Sequence, residues 1–595
     1  MAWMDQSTKG SRRQMREILW QNRRFVRRDG STFWASGGVF AEIIYPERCG
    51  IIRPEERLHR DEDDGRSWLW YWECSDAELR QWLRYLRAEG MNYVRYFCLS
   101  ARRLREEPLD VGGKLNPTRW YQLLHYMDLA AEEGVYFHLV ICPEPRTTVY
   151  FKEGSLEEFA LDYWTLDEIA KLPAGQRALL DPATPRVGYD RYFADPDVLQ
   201  CQFQLIEQMA RDVRDHPALL CAEVYNEQQW DNDQFGKGRC FLWEVHDAEM
   251  AWTARIVDKI HRELPGVPVC VSFAGLGFTA QDPFTWIDHV DMDFYSPHLY
   301  QALAGVPMQL DYCGVADVVL LYQHAEMPTM MGEFDPSDFR QGMGTEHLLI
   351  RDMAWFAALN GCPGFGMWTS RGWNEFTPAR EMMERIGFAS LELAPPEIVV
   401  DISRQVAALA AIEAEAGPAC GLPGDYWCPH RPEDQRHIYC QKFVSPAMEE
   451  LWSWGYFALT HGLRYAFAGR TDDLTREASR LVWDPREIGS GALGRLPQPF
   501  VPPEGYQLKY LSSADGAIHV AYLRNYQYYR VGVNSGRRKG EAREAALHVA
   551  LGEGTYDVEI WNLDTGGRTR TACAGQAVLG LGRTNDDYAL LFTRC

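Results

Sequence analysis

The chain has 595 residues, more than one hydrophobic core usually holds, so on the order of two to four domains are expected. Its hydrophobic content of 46% and charged content of 24% are ordinary for a soluble globular protein. The formal net charge of −23 argues against nucleic acid and anionic membranes as partners, because both would repel such a surface.

Residues 1–395 alternate between short apolar strands and amphipathic helices. A turn signal at Asp29-Gly30 predicts a hairpin, after which residues 38–45 can form the first strand of a larger sheet. Ser75 and Glu78 have the spacing of a capping box, and Gly90 is placed to end the helix that follows. Further strands are predicted at 92–97, 135–142, 219–225, 267–273, 290–296, 329–333 and 364–368.

Eight strands with helices between most of them are the pattern of a (β/α)₈ TIM barrel, to which residues 1–395 are assigned. A long insertion at 144–196 follows the third strand, where it is expected to help shape an active site. Residues 396–495 are predicted to form a small α/β subdomain. Residues 496–595 contain short alternating runs separated by turn signals such as that at 564–567, which predicts a C-terminal β-sandwich.

Function in such a barrel is expected at the C-terminal ends of its strands. Two carboxylates across a barrel mouth suit glycoside hydrolysis, in which one donates a proton to the leaving oxygen and the other attacks the anomeric carbon. Glu227 after the fourth strand and Glu333 at the end of the seventh are the candidate pair. The remaining polar and aromatic residues at strand ends are Arg95, Asn226, His298, Tyr300 and Trp368.

Five short motifs at these positions resemble clan A glycoside hydrolases, most closely the family 5 pattern of cellulase- and mannanase-like enzymes. They are Asn-Tyr-Val-Arg at 92–95, Tyr-Asn-Glu at 225–227, His-Leu-Tyr at 298–300, Met-Gly-Glu-Phe at 331–334 and the tryptophan at 368. Each motif is weak alone, whereas five in this order at predicted strand ends are specific. The resemblance covers residues 1–395. It implies a retaining hydrolase of carbohydrates without a cofactor, with Glu227 as acid/base and Glu333 as nucleophile.

The resemblance also implies roles for the neighbouring side chains. Arg95 and Tyr300 are expected to hydrogen-bond Glu333, and the charge of Arg95 favours the ionised carboxylate. Asn226 is suited to the 2-hydroxyl of the sugar, a contact that strengthens in the transition state. Trp368 is expected to form a platform under the sugar.

Three of the candidates also have simpler structural explanations. Arg95 can be a salt-bridge residue of the barrel mouth, His298 a hydrogen-bonded core histidine and Trp368 an ordinary core residue. Such explanations are weaker for Glu227 and Glu333, because carboxylates are rarely buried without a reason.

The sequence departs from the family pattern at the end of the third strand, where a histidine is usual. Cys142 stands there, and His138, four residues earlier, is expected to point into the barrel or the helix layer. This indicates a divergent subfamily, so the sugar is not inferred from the family. Glu144 is a candidate substitute in substrate binding. Trp230 and Trp373 follow two of the strand ends, and their flat faces suit the apolar faces of sugars.

A Cys/His cluster has the ligand types of a zinc site, but its spacing matches no common pattern. Unpaired structural cysteines and surface histidines are the better explanation, and no metal is assigned. The cluster comprises Cys420, Cys428, His430, His437 and Cys440. The sequence also contains no His-x-His, which argues against a metal-dependent barrel hydrolase.

The 15 cysteines form no Cys-x-x-Cys pair, residues 1–28 hold no signal-peptide pattern, and no apolar run approaches a membrane span. These observations predict a cytoplasmic location. Polymers do not enter a cytoplasm intact, so exo-action on short oligosaccharides or small β-glucosides, β-mannosides or β-galactosides is expected. An endo-acting polysaccharide hydrolase and a non-catalytic carbohydrate-binding barrel remain alternatives. The oligomeric state stays open, a homo-oligomer included.

Overall fold

A computed structural model of the protein describes residues 15–39, 42–54, 57–60, 67–98, 109–110, 114–115, 117–142, 149–151, 158–161, 186–187, 193–227, 246–273, 283–300, 311–324, 327–335, 344–368, 373–404, 407, 446–468, 481–483, 498–531 and 534–595. Glu144, Trp230 and the Cys/His cluster at 420–440 lie outside these residues. The side chains of Tyr300 and Trp373 also lie outside what is described.

The N-terminal part is a closed barrel of eight parallel strands, as the sequence predicts. The strands are β1 (Ala35–Val39), β2 (Tyr93–Phe97), β3 (Tyr136–Val140), β4 (Leu219–Glu223), β5 (Val269–Phe273), β6 (Phe294–Tyr300), β7 (Glu333–Asp335) and β8 (Gly364–Trp368). They are hydrogen-bonded in the order β7-β6-β5-β4-β3-β2-β1-β8, and a parallel bridge between Met331 and Phe365 closes the ring.

Helices alternate with these strands along the chain. The predicted capping box is present, because Ser75 Oγ accepts from Glu78 N and Glu78 Oε2 accepts from Ser75 N at 2.8 Å. Gly90 follows the helix with a φ of 94°, where a side chain would be strained. The helices are α1 (Asp76–Ala88), α2 (Pro117–Glu133), α3 (Pro196–Val213), α4 (His246–Glu263), α5 (Pro283–His289), α6 (Tyr312–His324), α7 (Glu346–Leu359) and α8 (Thr377–Arg385).

The first barrel strand lies earlier than the sequence suggests. It spans Ala35–Val39, whereas Glu42–Ile44 joins a separate antiparallel sheet with His59–Arg60 and Ser67–Trp70. Glycines in β1 weaken its strand signal, but the barrel needs one of them. A Cβ on Gly37 would lie 2.1 Å from the carbonyl oxygen of Tyr93.

The N-terminal hairpin also differs from prediction. Strands Ile18–Gln21 and Arg24–Arg27 pair around Asn22 and Arg23, which have φ values of 50° and 63°. Two central residues in the left-handed region match the twist of paired strands, and Asn favours that conformation. The predicted turn at 29–30 instead forms a loop beyond this hairpin, with a single antiparallel bridge across it.

This hairpin closes the N-terminal end of the barrel. The ring of Phe25 lies 6.1 Å from that of Phe294, and Trp20 lies 5.6 Å from the same ring. Phe33 packs edge-on against Tyr136 at 5.1 Å. Aromatic contacts of this kind exclude water from that end. The opposite end of the barrel carries the candidate site.

A small α/β unit follows, as predicted. Strands β9 (Ile398–Asp401), β10 (Tyr465–Ala468) and β11 (Leu481–Trp483) form a parallel sheet in the order β10-β9-β11. Helix α9 (Pro446–His461) packs on α6 of the barrel. A Cβ on Gly455 of α9 would lie 2.2 Å from a methyl of Val318, so glycine permits this close approach.

The C-terminal part is antiparallel β-structure, which confirms the β-rich domain predicted there. Its long strand β17 (Arg543–Asn562) has a register shift between Ala550 and Thr555, and residues of both halves of this strand contribute to one hydrophobic core. The boundaries between the three domains, at residues 395 and 495, stay predictions. The strands are β12 (Phe500–Val501), β13 (Tyr506–Ser512), β14 (Ile518–Asn525), β15 (Gln527–Val531), β16 (Asn534–Arg538), β17 (Arg543–Asn562), β18 (Arg568–Thr584) and β19 (Tyr588–Arg594).

A buried ionic network joins this β-domain to the barrel. Asp352 of α7 accepts from Arg524 at 2.6 Å and from Arg537 at 2.7 Å. Arg537 also donates to Asp587 at 2.8 Å, and Arg524 donates to Asp311 at 3.0 Å. All five side chains are buried, so each charge depends on its partners.

Two of the sequence expectations concern the chain as a whole. No disulfide joins the cysteines of the described ranges. Among the described helices, none combines the length and apolar character that crossing a bilayer requires.

Candidate active site

A buried arginine lies between two glutamates at the C-terminal end of the barrel. Arg95 of β2 donates through Nη1 to Oε1 of Glu333, and through Nε and Nη2 to Glu223 at 2.7 and 2.5 Å. Nη2 also donates to Oδ1 of Asn226 at 3.0 Å. Nε2 of His138 lies 2.8 Å from Oε2 of Glu223. The expected contact between Arg95 and Glu333 is therefore present, within a larger network.

The charges of this network are fixed by their mutual contacts. Burial by itself raises the pKa of Glu223, but the charge of Arg95 and the hydrogen bonds from His138 and Arg95 outweigh it and hold that pKa far below its usual range. Burial likewise lowers the pKa of Arg95, and the charges of Glu223 and Glu333 more than reverse this. The pair Arg95–Glu223 is thus ionised. Burial lowers the pKa of His138, so its imidazole is neutral and donates through Nε2.

A histidine bridges the two candidate catalytic carboxylates. Nδ1 of His298 lies 2.9 Å from Oε1 of Glu227 and 3.5 Å from Oε2 of Glu333. Burial lowers the pKa of His298 to about 4, against an opposing effect of Glu333, so the ring is neutral near pH 7. We place its single proton on Nδ1, which faces Oε1 of Glu227, because that oxygen can accept whether or not the other oxygen of Glu227 carries a proton. Oxygens of Glu227 and Glu333 lie within 4.8 Å of each other.

The backbone that carries Glu227 is strained. Its φ is 60°, in the left-handed region that residues with a Cβ rarely adopt. The N–H of Glu227 donates to Oγ of Ser272 at 2.9 Å, and that hydroxyl donates to the carbonyl of Tyr225 at 3.2 Å. Strain of this kind persists where surrounding contacts determine it, often at functional sites.

Glycine at position 332 gives the imidazole its space. A Cβ there would lie 2.2 Å from Oγ of Ser296 and 2.9 Å from Nε2 of His298. Among the described residues neither of these two polar atoms has a hydrogen-bond partner, although both are buried. The glycine that precedes Glu333 therefore keeps a small polar space behind the imidazole.

The structure brings five of the sequence candidates together. Asn226 donates to Oε2 of Glu227 at 3.4 Å, which completes a set with Arg95, His298 and Glu333. Trp368 ends β8 and is half-buried, with its role as a sugar platform still a prediction. Tyr300 ends β6, Trp373 begins a short 3-10 helix, and neither side chain is described.

The sequence analysis assigns no definite role to three residues of the site. Glu223 and Ser272 received no role, and the orientation of His138 was left open between the barrel interior and the helix layer. The structure places His138 inside the barrel on Glu223. A signal was present: Glu223 and His138 are polar residues within otherwise apolar strands, and buried charges are kept only with partners.

Three buried groups in the described residues have metal-binding atoms close together. In the group of His138, Glu223 and Cys270, Arg95 already occupies the carboxylate. In that of Asp311, Cys313 and Asp352, Arg524 bonds both carboxylates. The third is Glu227, His298 and Glu333, the candidate catalytic set. We assign no metal to any of them.

The comparisons with known proteins find similarity among solved structures alone. No protein-family model matches the sequence, and no curated protein matches it. Solved structures similar to this chain include an exo-beta-1,4-mannosidase from Opitutaceae bacterium strain TAV5, at 12% identity and a TM-score of 0.46, covering 93% of each chain.

Two further similar structures cover a smaller share of this chain. A GH5_18 protein from Streptomyces cattleya, solved in complex with GlcNAc, is 14% identical with a TM-score of 0.44, covering 70% of this chain and 95% of that one. An endo-1,4-beta-mannanase from Eisenia fetida is 16% identical with a TM-score of 0.38, covering 60% and 94%. None of these three structures is more than 16% identical to this chain.

Proposed function

We propose that this chain is a retaining glycoside hydrolase that cleaves β-glycosidic bonds by double displacement. The observation that carries the proposal is the close pair of buried carboxyl groups at the C-terminal end of the barrel: one oxygen of Glu227 lies within 4.8 Å of one oxygen of Glu333. Retaining enzymes hold their carboxyl groups closer together, roughly 5–5.5 Å apart, than inverting enzymes, which need roughly 6.5–9.5 Å to admit a water, and the close pair here supports the retaining mechanism.

The reaction runs in two steps. In the first, Glu227 donates its proton to the glycosidic oxygen, and an oxygen of Glu333 attacks the anomeric carbon as the bond to the leaving group breaks. In the second, Glu227 takes a proton from water, and the resulting oxygen displaces Glu333 from the same carbon. Two displacements restore the original configuration.

The neighbouring groups support this division of roles. Arg95 donates to Glu333, which favours the ionised nucleophile. His298 is neutral and donates to Glu227 rather than supplying a charge. Asn226 lies between Arg95 and Glu227, and its amide is suited to the 2-hydroxyl of the sugar. As in the sequence expectation, Tyr300 is assigned to Glu333, and the sugar-binding surface to Trp368, Trp230, Trp373 and Glu144.

We further propose exo-action on short oligosaccharides or small β-glycosides in the cytoplasm. The support is the insertion at 144–196 and the aromatic segment at 68–72, which follow β3 and β1, the strands on either side of β2. On this proposal the two segments narrow one side of the mouth. In the aromatic segment, Trp70 and Trp72 stack at 4.5 Å. A pocket for one terminal ring would concentrate the binding energy there.

Proton NMR of the earliest product from an aryl β-glycoside tests the mechanism. The expected product has the β configuration, and an inverted product contradicts the assignment. A 2-deoxy-2-fluoro glycoside with an activated leaving group should label Glu333, which peptide mass spectrometry would locate. Binding of sugar without turnover on a panel of β-glucosides, β-mannosides and β-galactosides would instead indicate a non-catalytic barrel.

Product analysis on a labelled oligosaccharide series tests the exo-action. Monosaccharide released from the start at every chain length is expected. Early mixed internal fragments, with rates that rise steeply with chain length, would indicate an open cleft and endo-action.

A further inference from the structure

We propose that Glu223 is a positioning residue that shares the charge of Arg95 and thereby sets the reactivity of Glu333. This inference rests on the proposed function, since it assigns Glu333 as the nucleophile. Glu223 contacts Arg95 and His138, and it acts on Glu333 through Arg95.

The geometry shows one cation divided between two anions. Arg95 directs Nε and Nη2 at Glu223 and Nη1 at Glu333. The exposed fractions are 0% for Arg95 and Glu223 and 2% for Glu333, so solvent screens these charges little. A bidentate contact fixes the plane of a guanidinium. Glu223 therefore determines where Nη1 points.

A second contact keeps Glu223 in place. Nε2 of His138 lies 2.8 Å from Oε2 of Glu223, and His138 sits on the strand beside Arg95, directly paired with it in register. Because His138 is neutral, it orients the carboxylate without adding a second cation. The other titratable groups around Glu223 include the imidazole of His298, the buried thiols of Cys221 and Cys270 and the phenol of Tyr93. Burial keeps the two thiols and the phenol protonated.

The charge balance has a consequence for the nucleophile. The described charged and titratable groups that face Glu333 include Arg95, His298 and Glu227. When Glu223 is ionised, its negative charge offsets the positive charge of Arg95. Arg95 then stabilises the carboxylate of Glu333 less strongly, and Glu333 keeps its nucleophilicity. Without the charge of Glu223, Arg95 would stabilise the Glu333 carboxylate more strongly, which weakens it as a nucleophile and improves it as a leaving group.

The test is Glu223→Gln, which keeps the shape and removes the charge. We expect the glycosylation step, read as kcat/KM on an activated aryl β-glycoside, to slow by at least about tenfold. The hydrolysis of the glycosyl-enzyme, measured in pre-steady-state kinetics, should not slow. The acidic limb of the pH profile of kcat/KM should move to lower pH by about one unit. The reason is that Glu333 protonates less readily when the charge of Arg95 is no longer offset by Glu223.

Asp317→Asn is the matched control, since Asp317 is a fully buried carboxylate paired with Lys509 at 2.8 Å, away from Arg95. It should lower stability and leave the limb in place. If Glu223→Gln does not fold, Glu223→Asp withdraws the charge by one methylene and should move the limb in the same direction by less. If a folded Glu223 variant has the acidic limb of its kcat/KM profile at the same pH as the wild type, the inference is wrong.

The fluoro-glycoside experiment separates this inference from the proposed function. If the wild-type protein is not labelled at Glu333, the proposed function fails and this inference fails with it. If Glu333 is labelled and the limb of the Glu223 variant stays in place, the function stands and the role of Glu223 is structural.

Discussion

The backbone N–H of Glu227 donates to the hydroxyl of Ser272 over 2.9 Å, from the end of β4 to β5. The same hydroxyl donates to the carbonyl of Tyr225, so one side chain holds both sides of the left-handed turn that carries the proposed acid/base. Ser272 is fully buried, and no water competes for these bonds.

Replacing this serine tests whether the turn positions the proton donor. Ser272→Ala should lower the free energy of unfolding by about 1–3 kcal/mol, because it leaves a buried N–H without its acceptor. Hydrolysis of glycosides with poor leaving groups should fall more than that of activated aryl glycosides, which need little protonation. Ser36→Ala is the control, since Ser36 donates to Gly90 O at 2.8 Å inside the barrel. An equal loss on both kinds of substrate would show that Ser272 does not position the acid.

The two carboxylates are distinguished by azide. In Glu227→Ala an activated substrate should still form the glycosyl-enzyme, and azide should restore turnover and give a β-glycosyl azide. In Glu333→Ala the nucleophile is missing, so azide could give only the α product. Product configuration by NMR decides, and the reverse pattern would mean that the two roles are exchanged.

Gly332 should not tolerate even one methyl group. Gly332→Ala places a Cβ 2.2 Å from Oγ of Ser296 and 2.9 Å from Nε2 of His298, so the imidazole must shift from the carboxylates. We expect a stability loss of about 1–3 kcal/mol and a fall in kcat. Gly580→Ala meets nothing within 4 Å and should be neutral. The double variant with Ser296→Gly should recover part of the stability, and no recovery would argue against this clash.

The ionic network between α7 and the β-domain should be essential for folding. Asp352→Ala removes the partner shared by Arg524 and Arg537 and leaves two buried cations less compensated, at a cost of about 3–5 kcal/mol. Urea unfolding measures this cost. Glu504→Ala is the control, because Glu504 pairs with Arg543 at the surface and is 92% exposed. It should cost no more than about 1 kcal/mol. Similar costs for the two variants would contradict the importance of the network.

Buried neutral histidines should make the protein less stable in mild acid. Burial lowers the pKa of His298 and of His519 to about 4, whereas an unfolded histidine has a pKa of about 6.5. Between these values the unfolded chain binds more protons, so stability is full above about pH 6.5 and is lost as the pH falls towards 4. The loss approaches roughly 3 kcal/mol for each histidine.

The test uses His519, which lies in the β-domain and bonds Ser512 Oγ through Nδ1 at 2.8 Å. His519→Gln should reduce the dependence of the free energy of unfolding on pH between 6.5 and 4, measured by urea titration. If its pH dependence equals that of the wild type, protonation of His519 is not coupled to unfolding.

Much of the fold follows from patterns local to the sequence. The capping box at Ser75 and Glu78 and the apolar strands that end near Glu227 and at Trp368 are set by neighbours within a few residues. Such signals fix the alternation of strand and helix, which leaves few ways to close a parallel sheet. The hairpin at 18–27 escaped prediction, because its turn residues Asn22 and Arg23 are less distinctive than the Asp29-Gly30 signal nearby.

The arrangement of the site needed the closed barrel. By itself the sequence determined which residues stand at strand ends, and so named Arg95, Asn226, Glu227, His298 and Glu333 together. Only the tertiary structure decided that Glu223 takes two of the donors of Arg95, and that one serine holds the turn at Glu227. The reason is physical: periodicity reports which face of a strand is buried, whereas the partner of a buried charge is set by ring closure among residues far apart in the chain.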